Sequence, residues 1–315
     1  MPVSFSVVIP NWNGLRFLAD CLNALRNQTL EDIEVILVDN ASTDGSQDFV
    51  RTEYPEVRLI ELEENRGFAG ACNAGMEAAN GAYVALLNND TEVESDWAEQ
   101  VAGAFTGHPD AGIIASKMLL FDQRDRFHTA GDFFTSDGRA GNRGAWERDK
   151  GQYDCGEYVF SACGGSAVYR QSMLAEIDLL DDDFFFLLED VDLAWRAQLA
   201  GYKVWYEPRA IVYHHLSATG GGVTASYHDG RNGIWLIAKN MPASLLRKYA
   251  RPILARQLAL LWQSLKSWRG QEARARIRGL IAGALGIRGA LAKRRRIQAA
   301  KRVTDDYIES ILTPV

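Results

Sequence analysis

The stretch Phe5-Ser6-Val7-Val8-Ile9-Pro10-Asn11-Trp12-Asn13-Gly14-Leu15 joins a nearly continuous apolar run to a polar turn. A helical pattern then runs through Leu15, Leu18, Leu22 and Leu25. This order predicts a strand, a tight loop and a helix. Working outward, the same unit recurs. Ile33 to Asp39 precedes a helical pattern near Gly45 to Arg51, Val57 to Leu62 precedes one near Gly67 to Asn80, and Tyr83 to Asn88 precedes one around Asp96 to Phe105. Strands alternating with helices predict an α/β fold built on a doubly wound, mainly parallel sheet. Ligands of such sheets sit beyond the C-terminal strand ends. Those ends carry Pro10-Asn11, Asp39-Asn40, Asn65 just past the third strand, and Asn88-Asn89-Asp90.

With 315 residues, 47% of them apolar, the chain can bury a full core. No apolar run approaches the roughly 18 to 20 residues of a membrane span, and the N-terminus lacks the features of a signal peptide, so a cytoplasmic location is expected. Cys21, Cys72, Cys155 and Cys163 show no zinc-site spacing and read as free thiols. The net charge of −7 is unevenly spread. Residues 243–315 hold 16 Lys and Arg against 4 Asp and Glu, a balance of +12, whereas residues 1–242 hold 18 against 37, a balance of −19. The chain therefore divides into an α/β unit, 1–242, and a basic helical C-terminal region, 243–315. In that region Leu254, Leu258, Leu261, Trp262, Leu265 and Trp268, then Ile277, Leu280, Ile281 and Leu285, recur at helical spacing among the basic residues. An anionic membrane surface is the expected partner of such a segment. Lys293-Arg294-Arg295-Arg296 alone would also suit nucleic acid, but no nucleic-acid motif accompanies it. The third reading is that these helices dock on the rest of the chain.

Residues Phe186-Leu187-Leu188-Glu189-Asp190-Val191-Asp192 set the adjacent pair Glu189-Asp190 where an aromatic run turns into a helix. Low dielectric on one side and a positive helix end on the other suit a tuned general base, although acidic residues also simply cap first turns. From Leu120 to Cys155 the periodicity breaks into a Gly-rich stretch with Phe133, Phe134 and Trp146 as isolated anchors, a long loop of the kind that often carries function. Gly164-Gly165 allows either close approach of a ligand or a structural turn. No Walker-type phosphate loop occurs. The one Gly-x-Gly-x-x-Ala match, Gly220 to Ala225, lies far from the first strand-helix unit, which argues against a dinucleotide-dependent dehydrogenase.

Seven ordered blocks together resemble the family 2 glycosyltransferases of GT-A fold. They are Ser6 to Gly14, Val38 to Ser46, Asn65-Arg66-Gly67-Phe68-Ala69, Leu86-Leu87-Asn88-Asn89-Asp90, Gly164-Gly165-Ser166, Glu189-Asp190-Val191-Asp192 and Val212-Tyr213-His214. The chain is most similar to the rhamnosyltransferase-like branch, in which a basic helical region like Arg231 to Gln298 follows the catalytic domain. The resemblance implies a nucleotide-sugar pocket. Asp39 would accept from a pyrimidine imide, pointing to a dTDP- or UDP-sugar, with Pro10, Asn11, Asn13, Asn65, Gly67, Asn88, Asn89 and Gly165 around it. Asp90 stands at the last position of the family's Asp-x-Asp motif and would bind Mg²⁺ or Mn²⁺ on the diphosphate. Asn88 replaces the motif's first Asp and removes a charge from the site.

His214 matches a further metal ligand of some members, or is hydrogen-bonded inside the fold. His215 would point the opposite way. Asp190 would be the base of an inverting transfer to a glycan or lipid-linked acceptor, with Glu189 supporting the acceptor. Asp192 and Arg196, spaced i and i+4, are expected to form a helix-surface ion pair. The alternative to an active enzyme is a silent nucleotide-sugar-binding or assembly protein.

Overall fold

The computed structural model describes residues 5–215 and 221–315. Gly220, in the glycine-rich match, lies outside the described residues. The first half alternates as expected: β1 (Phe5–Asn11), α1 (Leu15–Arg26), β2 (Ile33–Asp39), α2 (Ser46–Glu53), β3 (Arg58–Glu61), α3 (Gly67–Ala78) and β4 (Tyr83–Leu87). Then come β5 (Thr91–Val93), α4 (Trp97–Gly107), β6 (Ala111–Leu120), β7 (Phe127–Thr129), β8 (Asp132–Phe134), β9 (Ala140–Asn142), β10 (Glu157–Val159) and β11 (Ser166–Arg170). The chain continues through α5 (Gln171–Ile177), a 3₁₀ turn at Asp182–Phe184, α6 (Glu189–Ala200), β12 (Lys203–His214) and α7 (Gly222–Asn240). It ends in α8 (Ala243–Lys248), α9 (Ala250–Lys266), α10 (Gln271–Leu285), α11 (Ile287–Ala299) and α12 (Asp305–Ile311).

The central sheet runs β10-β12-β6-β11-β4-β1-β2-β3, with β5 on β12 and β7 on β6. Strands β1 to β4 pair in parallel, as do β6 and β12; β11 runs antiparallel between β4 and β6. The longer strands are therefore mostly parallel, as expected, with β5, β7, β10 and β11 reversed, which the periodicity did not reveal. Because β2 leaves β1 on one side and β4 returns on the other, the order switches at β1, and a crevice opens there at the strand ends.

Alternation along the strands feeds two cores. Val8, Ile36, Val38, Val84 and Leu86 face α3 and α6, while Val7, Ile9, Leu37 and Leu87 face α1 and α4. On α1, Leu18, Cys21, Leu22 and Leu25 are buried at i, i+3, i+4, i+7 spacing, each apolar side chain contributing roughly 1.5–3 kcal/mol. Helix α6 is covered on both sides. Leu193, Ala194 and Ala197 meet the sheet, and Val191, Trp195 and Leu199 meet a third cluster with Leu236, Met241, Leu245, Ile297, Ile308 and Leu312.

The C-terminal helices thus share a core with the α/β unit, and they divide the tail's apolar stripe. Leu280 packs inward, whereas Leu254, Leu258, Trp262, Leu265, Trp268, Ile281 and Leu285 are exposed. The stretch after Leu120 is also more ordered than its composition suggests, since it holds β7 and the β8–β9 hairpin. Phe134 is fully buried there, but Trp146 is 63% exposed and anchors nothing.

Candidate active site

The polar strand ends meet at the switch point through side-chain bonds. Asp39, fully buried, accepts at Oδ2 from Asn11 Nδ2 (2.9 Å) and at Oδ1 from the Ser42 amide (2.9 Å) and Gln47 Nε2 (2.7 Å). A carboxylate offers about four lone-pair sites, so one remains for a ligand N–H. Asn11 Oδ1 accepts from Asn89 Nδ2 at 2.6 Å, which ties β1 to the residues after β4. Asn13, at φ 51° and two residues past Asn11, accepts from the Thr43 amide and donates its own N–H to Ser42 Oγ. Asn65 Oδ1 accepts from Asn40 Nδ2 and from the Gly67 amide. Gly67 has φ 74°, and a Cβ there would lie 2.4 Å from the Phe185 carbonyl oxygen, so glycine is required on both counts.

Register brings the second group together. His214 lies opposite Thr91 across the β12–β5 pair, which sets its Nε2 3.1 Å from Asp90 Oδ1 and 3.4 Å from Asn88 Nδ2. Asn88 in turn donates its amide to the Gly165 carbonyl. His215 turns the other way and stacks on Phe121, as alternation requires. Sequence reasoning missed His128, whose Nδ1 is 3.0 Å from His214 Nδ1. Burial, and then His214, push its pKa down to about 3, so its ring is neutral near pH 7. One of the two Nδ1 atoms must carry the shared proton.

The carboxylate pair stands where α6 begins. Asp190 Oδ2 accepts from the Gly164 amide (2.7 Å) and Oδ1 from the Val191 amide (2.7 Å). A Cβ on Gly164 would sit 3.2 Å from that Oδ2, so the missing side chain lets the backbone meet the carboxylate. Burial raises the Asp190 pKa, while the two amides pull it back by favouring the ionised form. Glu189 Oε2 is buried without a partner, and burial with the neighbouring Asp190 charge holds its pKa well above the usual carboxylate range. The two acids stand in unlike surroundings: two amides favour the ionised form of Asp190, whereas nothing bonds Glu189 Oε2, which pushes their pKa values apart with Glu189 the higher.

The backbone leading to this pair is strained, with Phe185, Leu187 and Leu188 at φ 61°, 67° and 69°. An L side chain in that region costs roughly 1–2 kcal/mol per residue.

Asp192 and Arg196 form an ion pair, but not on the surface. Asp192 is fully buried and also bonds Lys239 and Asn240, and Arg196 donates to the carbonyls of Ile177, Asp178 and Leu179. The i, i+4 spacing does pair the two side chains, but α7 packed over α6 replaces solvent on that face.

Asp132 is a second residue the sequence did not reveal. Its ligand oxygen, Cys163 Sγ and an Asp190 oxygen all lie within 4.8 Å of one another. A half-buried thiol with a raised pKa is a poor partner for a hard cation, so Asp90 with His214 is the better donor set for Mg²⁺ or Mn²⁺. Burial pushes the Asp132 pKa up to about 8, against the pull of the Thr129 hydroxyl. The unfolded value near 3.9 lies below this, so its contribution to stability is full below about pH 4 and is lost as pH rises towards 8. Asp132→Asn is therefore expected to flatten the pH dependence of the urea midpoint between pH 5 and 8. An unchanged slope would remove Asp132 as its source.

With this geometry in place, the sequence matches the description "Glycosyl transferase family 2" over residues 6–178, more than half of the chain. The chain belongs to glycosyl transferase family 2. Among relatives of this family 2 chain, the poly-beta-1,6-N-acetyl-D-glucosamine synthase of Staphylococcus aureus (strain COL) is 25% identical over 224 residues, 67% of this chain and 52% of the relative. The namesake synthase of Staphylococcus epidermidis is 23% identical over 220 residues, 69% of this chain and 51% of the relative. The chain thus spans about half the length of these relatives.

Among solved structures, S. aureus TarS 1–349 in complex with UDP aligns with a TM-score of 0.57 at 19% identity, covering 94% of this chain and 90% of that one. The mannosyltransferase PcManGT of Pyrobaculum calidifontis, in complex with GDP-Man and Mn²⁺, aligns with a TM-score of 0.55 at 17% identity, covering 94% and 85%. At these identities the likeness establishes the shared GT-A fold.

Proposed function

We propose that the chain is an inverting glycosyltransferase that moves a hexosyl group, L-rhamnose being the first candidate, from a dTDP- or UDP-sugar to a glycan or lipid-linked glycan. One observation carries this reading: Asp190, a half-buried carboxylate bonded by two amides, is joined through Gly164-Gly165 to Asn88, which stands beside Asp90 and His214. In the proposed step Asp190 takes the proton of the acceptor hydroxyl as its oxygen bonds to C1 of the sugar. The C1–oxygen bond to the diphosphate breaks on the opposite side, and configuration inverts. Glu189, protonated and buried beside Asp190, orients the acceptor. Asp39 supplies the lone pair for the pyrimidine imide, with Pro10, Asn11, Asn13, Asn65, Gly67, Asn88, Asn89 and Gly165 lining the nucleotide-sugar site.

The oxygen and imidazole donors of Asp90 and His214 fit Mg²⁺ or Mn²⁺, His214 favouring Mn²⁺. Such a cation supplies positive charge against the diphosphate. Residues 1–242 form the proposed catalytic unit and 243–315 its helical partner region. The resemblance to the rhamnosyltransferase-like branch and the UDP and UDP-GlcNAc complexes of TarS support a pyrimidine donor. The test is calorimetric binding of dTDP-rhamnose, UDP-glucose, UDP-GlcNAc and GDP-mannose, followed by nucleoside diphosphate release on adding acceptor. Binding without release under any acceptor would leave the silent binding protein. Preference for GDP-mannose would remove the pyrimidine assignment.

Among the described residues no helix is long and apolar enough to cross a membrane. The exposed Leu254, Leu258, Trp262, Leu265 and Trp268, with Arg251, Arg256, Lys266 and Arg269 among them, suit peripheral contact with an anionic inner leaflet from the cytoplasmic side, where a lipid-linked acceptor resides. Each basic residue near such a surface contributes about 1 kcal/mol, and salt screens it. Leu258→Glu with Trp262→Glu is expected to abolish low-salt co-sedimentation with phosphatidylglycerol vesicles while leaving nucleotide binding intact. No sedimentation of the unaltered protein would end the membrane assignment.

A further inference from the structure

The segment that delivers Glu189 and Asp190 is held in place by helix α7, which lies outside the seven sequence blocks. Asn232, fully buried, has its Nδ2 at 3.0, 2.9 and 2.7 Å from the carbonyl oxygens of Phe184, Phe186 and Leu187. Its own Oδ1 accepts from Arg231 Nε (2.8 Å), and the Arg231 guanidinium donates to the carbonyls of Asp183 and Phe184 (both 2.7 Å). The one intervening carbonyl, that of Phe185, turns away from α7 to accept from the Ala69 amide at the start of α3, against Gly67. Two turns further along α7, Lys239 and Asn240 bond the two oxygens of Asp192 at 2.8 and 2.7 Å. The carboxylate pair is thereby gripped on both sides, before it through backbone carbonyls and after it through Asp192.

Three carbonyls within four residues converge on one amide only where the backbone departs from helix and strand, and Phe185, Leu187 and Leu188 all stand at positive φ without being Gly, Asn or Asp. Such a conformation persists only where its surroundings over-determine it, and it is found disproportionately at functional sites. Here the overdetermining group is the Asn232 amide. From this geometry we propose that Asn232 is a positioning residue for the transfer reaction: it holds the strained 184–188 segment so that Asp190 faces the acceptor, and it makes α7 part of the catalytic apparatus. The proposal rests on the reading of Asp190 as base.

A displacement of the base by about 1 Å costs on the order of a hundredfold in rate, whereas the Asp39 cluster lies on other elements and is untouched. Asn232→Ala is therefore expected to lower nucleoside diphosphate release from the preferred donor at least roughly tenfold, with UDP or dTDP affinity within about threefold of wild type. Hydrogen exchange of the amides of 184–190 should quicken while the α1 and α3 amides keep their protection. Asn232→Gln, which restores a donating amide, should recover part of the rate.

Wild-type turnover in Asn232→Ala would overturn the proposal, as would parallel loss of nucleotide affinity and turnover in both variants, the mark of a merely structural role. If Asn232→Ala does not fold, Asn232→Ser, which is polar and lacks the amide that reaches the three carbonyls, carries the test instead. Slowed release at unchanged nucleotide affinity supports positioning, and release at the wild-type rate with wild-type exchange overturns it. Asp190→Asn assayed alongside separates the two claims. Full activity there removes the base, whereas an inactive Asp190→Asn beside a fully active Asn232→Ala removes only the positioning role.

Discussion

Asp190→Asn is expected to lower sugar transfer by on the order of a hundredfold or more while leaving nucleotide-sugar affinity nearly unchanged. The two side chains have the same shape, so the fit beside Gly164 survives. The amide oxygen can still accept from one of the two backbone N–H groups that the carboxylate now satisfies, those of Gly164 and Val191. What is lost is the lone pair able to take a proton at neutral pH. Because that loss is felt only as the acceptor oxygen gains bonding to C1, kcat falls and donor binding does not.

Glu189→Gln distinguishes the partners of the pair. A protonated acid replaced by an amide keeps a donor and should retain far more activity than Asp190→Asn. If Asp190→Asn works within about threefold of wild type, the base lies elsewhere, and Glu189 is the first place to look. The pH profile offers a further check, since Asp190, raised by burial, serves as base only above its own pKa. Activity should rise with pH along an acid limb lying above the ordinary Asp value, and Asp190→Asn should abolish that limb.

Asp90→Ala is expected to weaken nucleotide-sugar binding and the response to Mg²⁺ or Mn²⁺ together. Both would rest on one ion between the carboxylate and the diphosphate, so they should fall by a common factor. Loss of an outer partner of a metal site already costs roughly 10- to 100-fold in affinity, and removal of the only carboxylate in this donor pair should exceed that. His214→Ala should cost less. Asn88 adds no charge to the pair, so little else on the protein side can compensate. Metal binding itself, read by Mn²⁺ electron paramagnetic resonance with UDP present, gives a measure independent of turnover. Full activity in excess chelator would sink the metal assignment.

Both experiments address residues that stand out in the amino-acid sequence, and the reason is local. A carboxylate at a strand end, or at the junction of an aromatic run and a helix, announces its surroundings through its neighbours in sequence. The β-α alternation from Phe5 to Phe105 was legible for the same reason, because each element writes its own period. Less legible was the stretch after Leu120. Its short strands of three residues each fall below the length at which alternation can be read. The stripe of Leu and Trp in the tail was visible as a period, but which members are exposed depends on how α9 and α10 lie against α7.

The sequence by itself determined the α/β class, the polar strand ends, the Glu189-Asp190 junction and the charge division at about residue 242, all properties of contiguous residues. Tertiary structure alone decided the partners. His128 meets His214 across 86 positions, and Asn232 reaches the carbonyl of Leu187 across 45. β11 is inserted in reverse between β4 and β6, and Asp192 is sealed under α7. Periodicity fixes which face of an element is apolar but not which element will cover it. That choice is made by sheet order, register and helix packing, and it turned a predicted surface ion pair into a buried one and placed α7 against the segment that leads to Asp190.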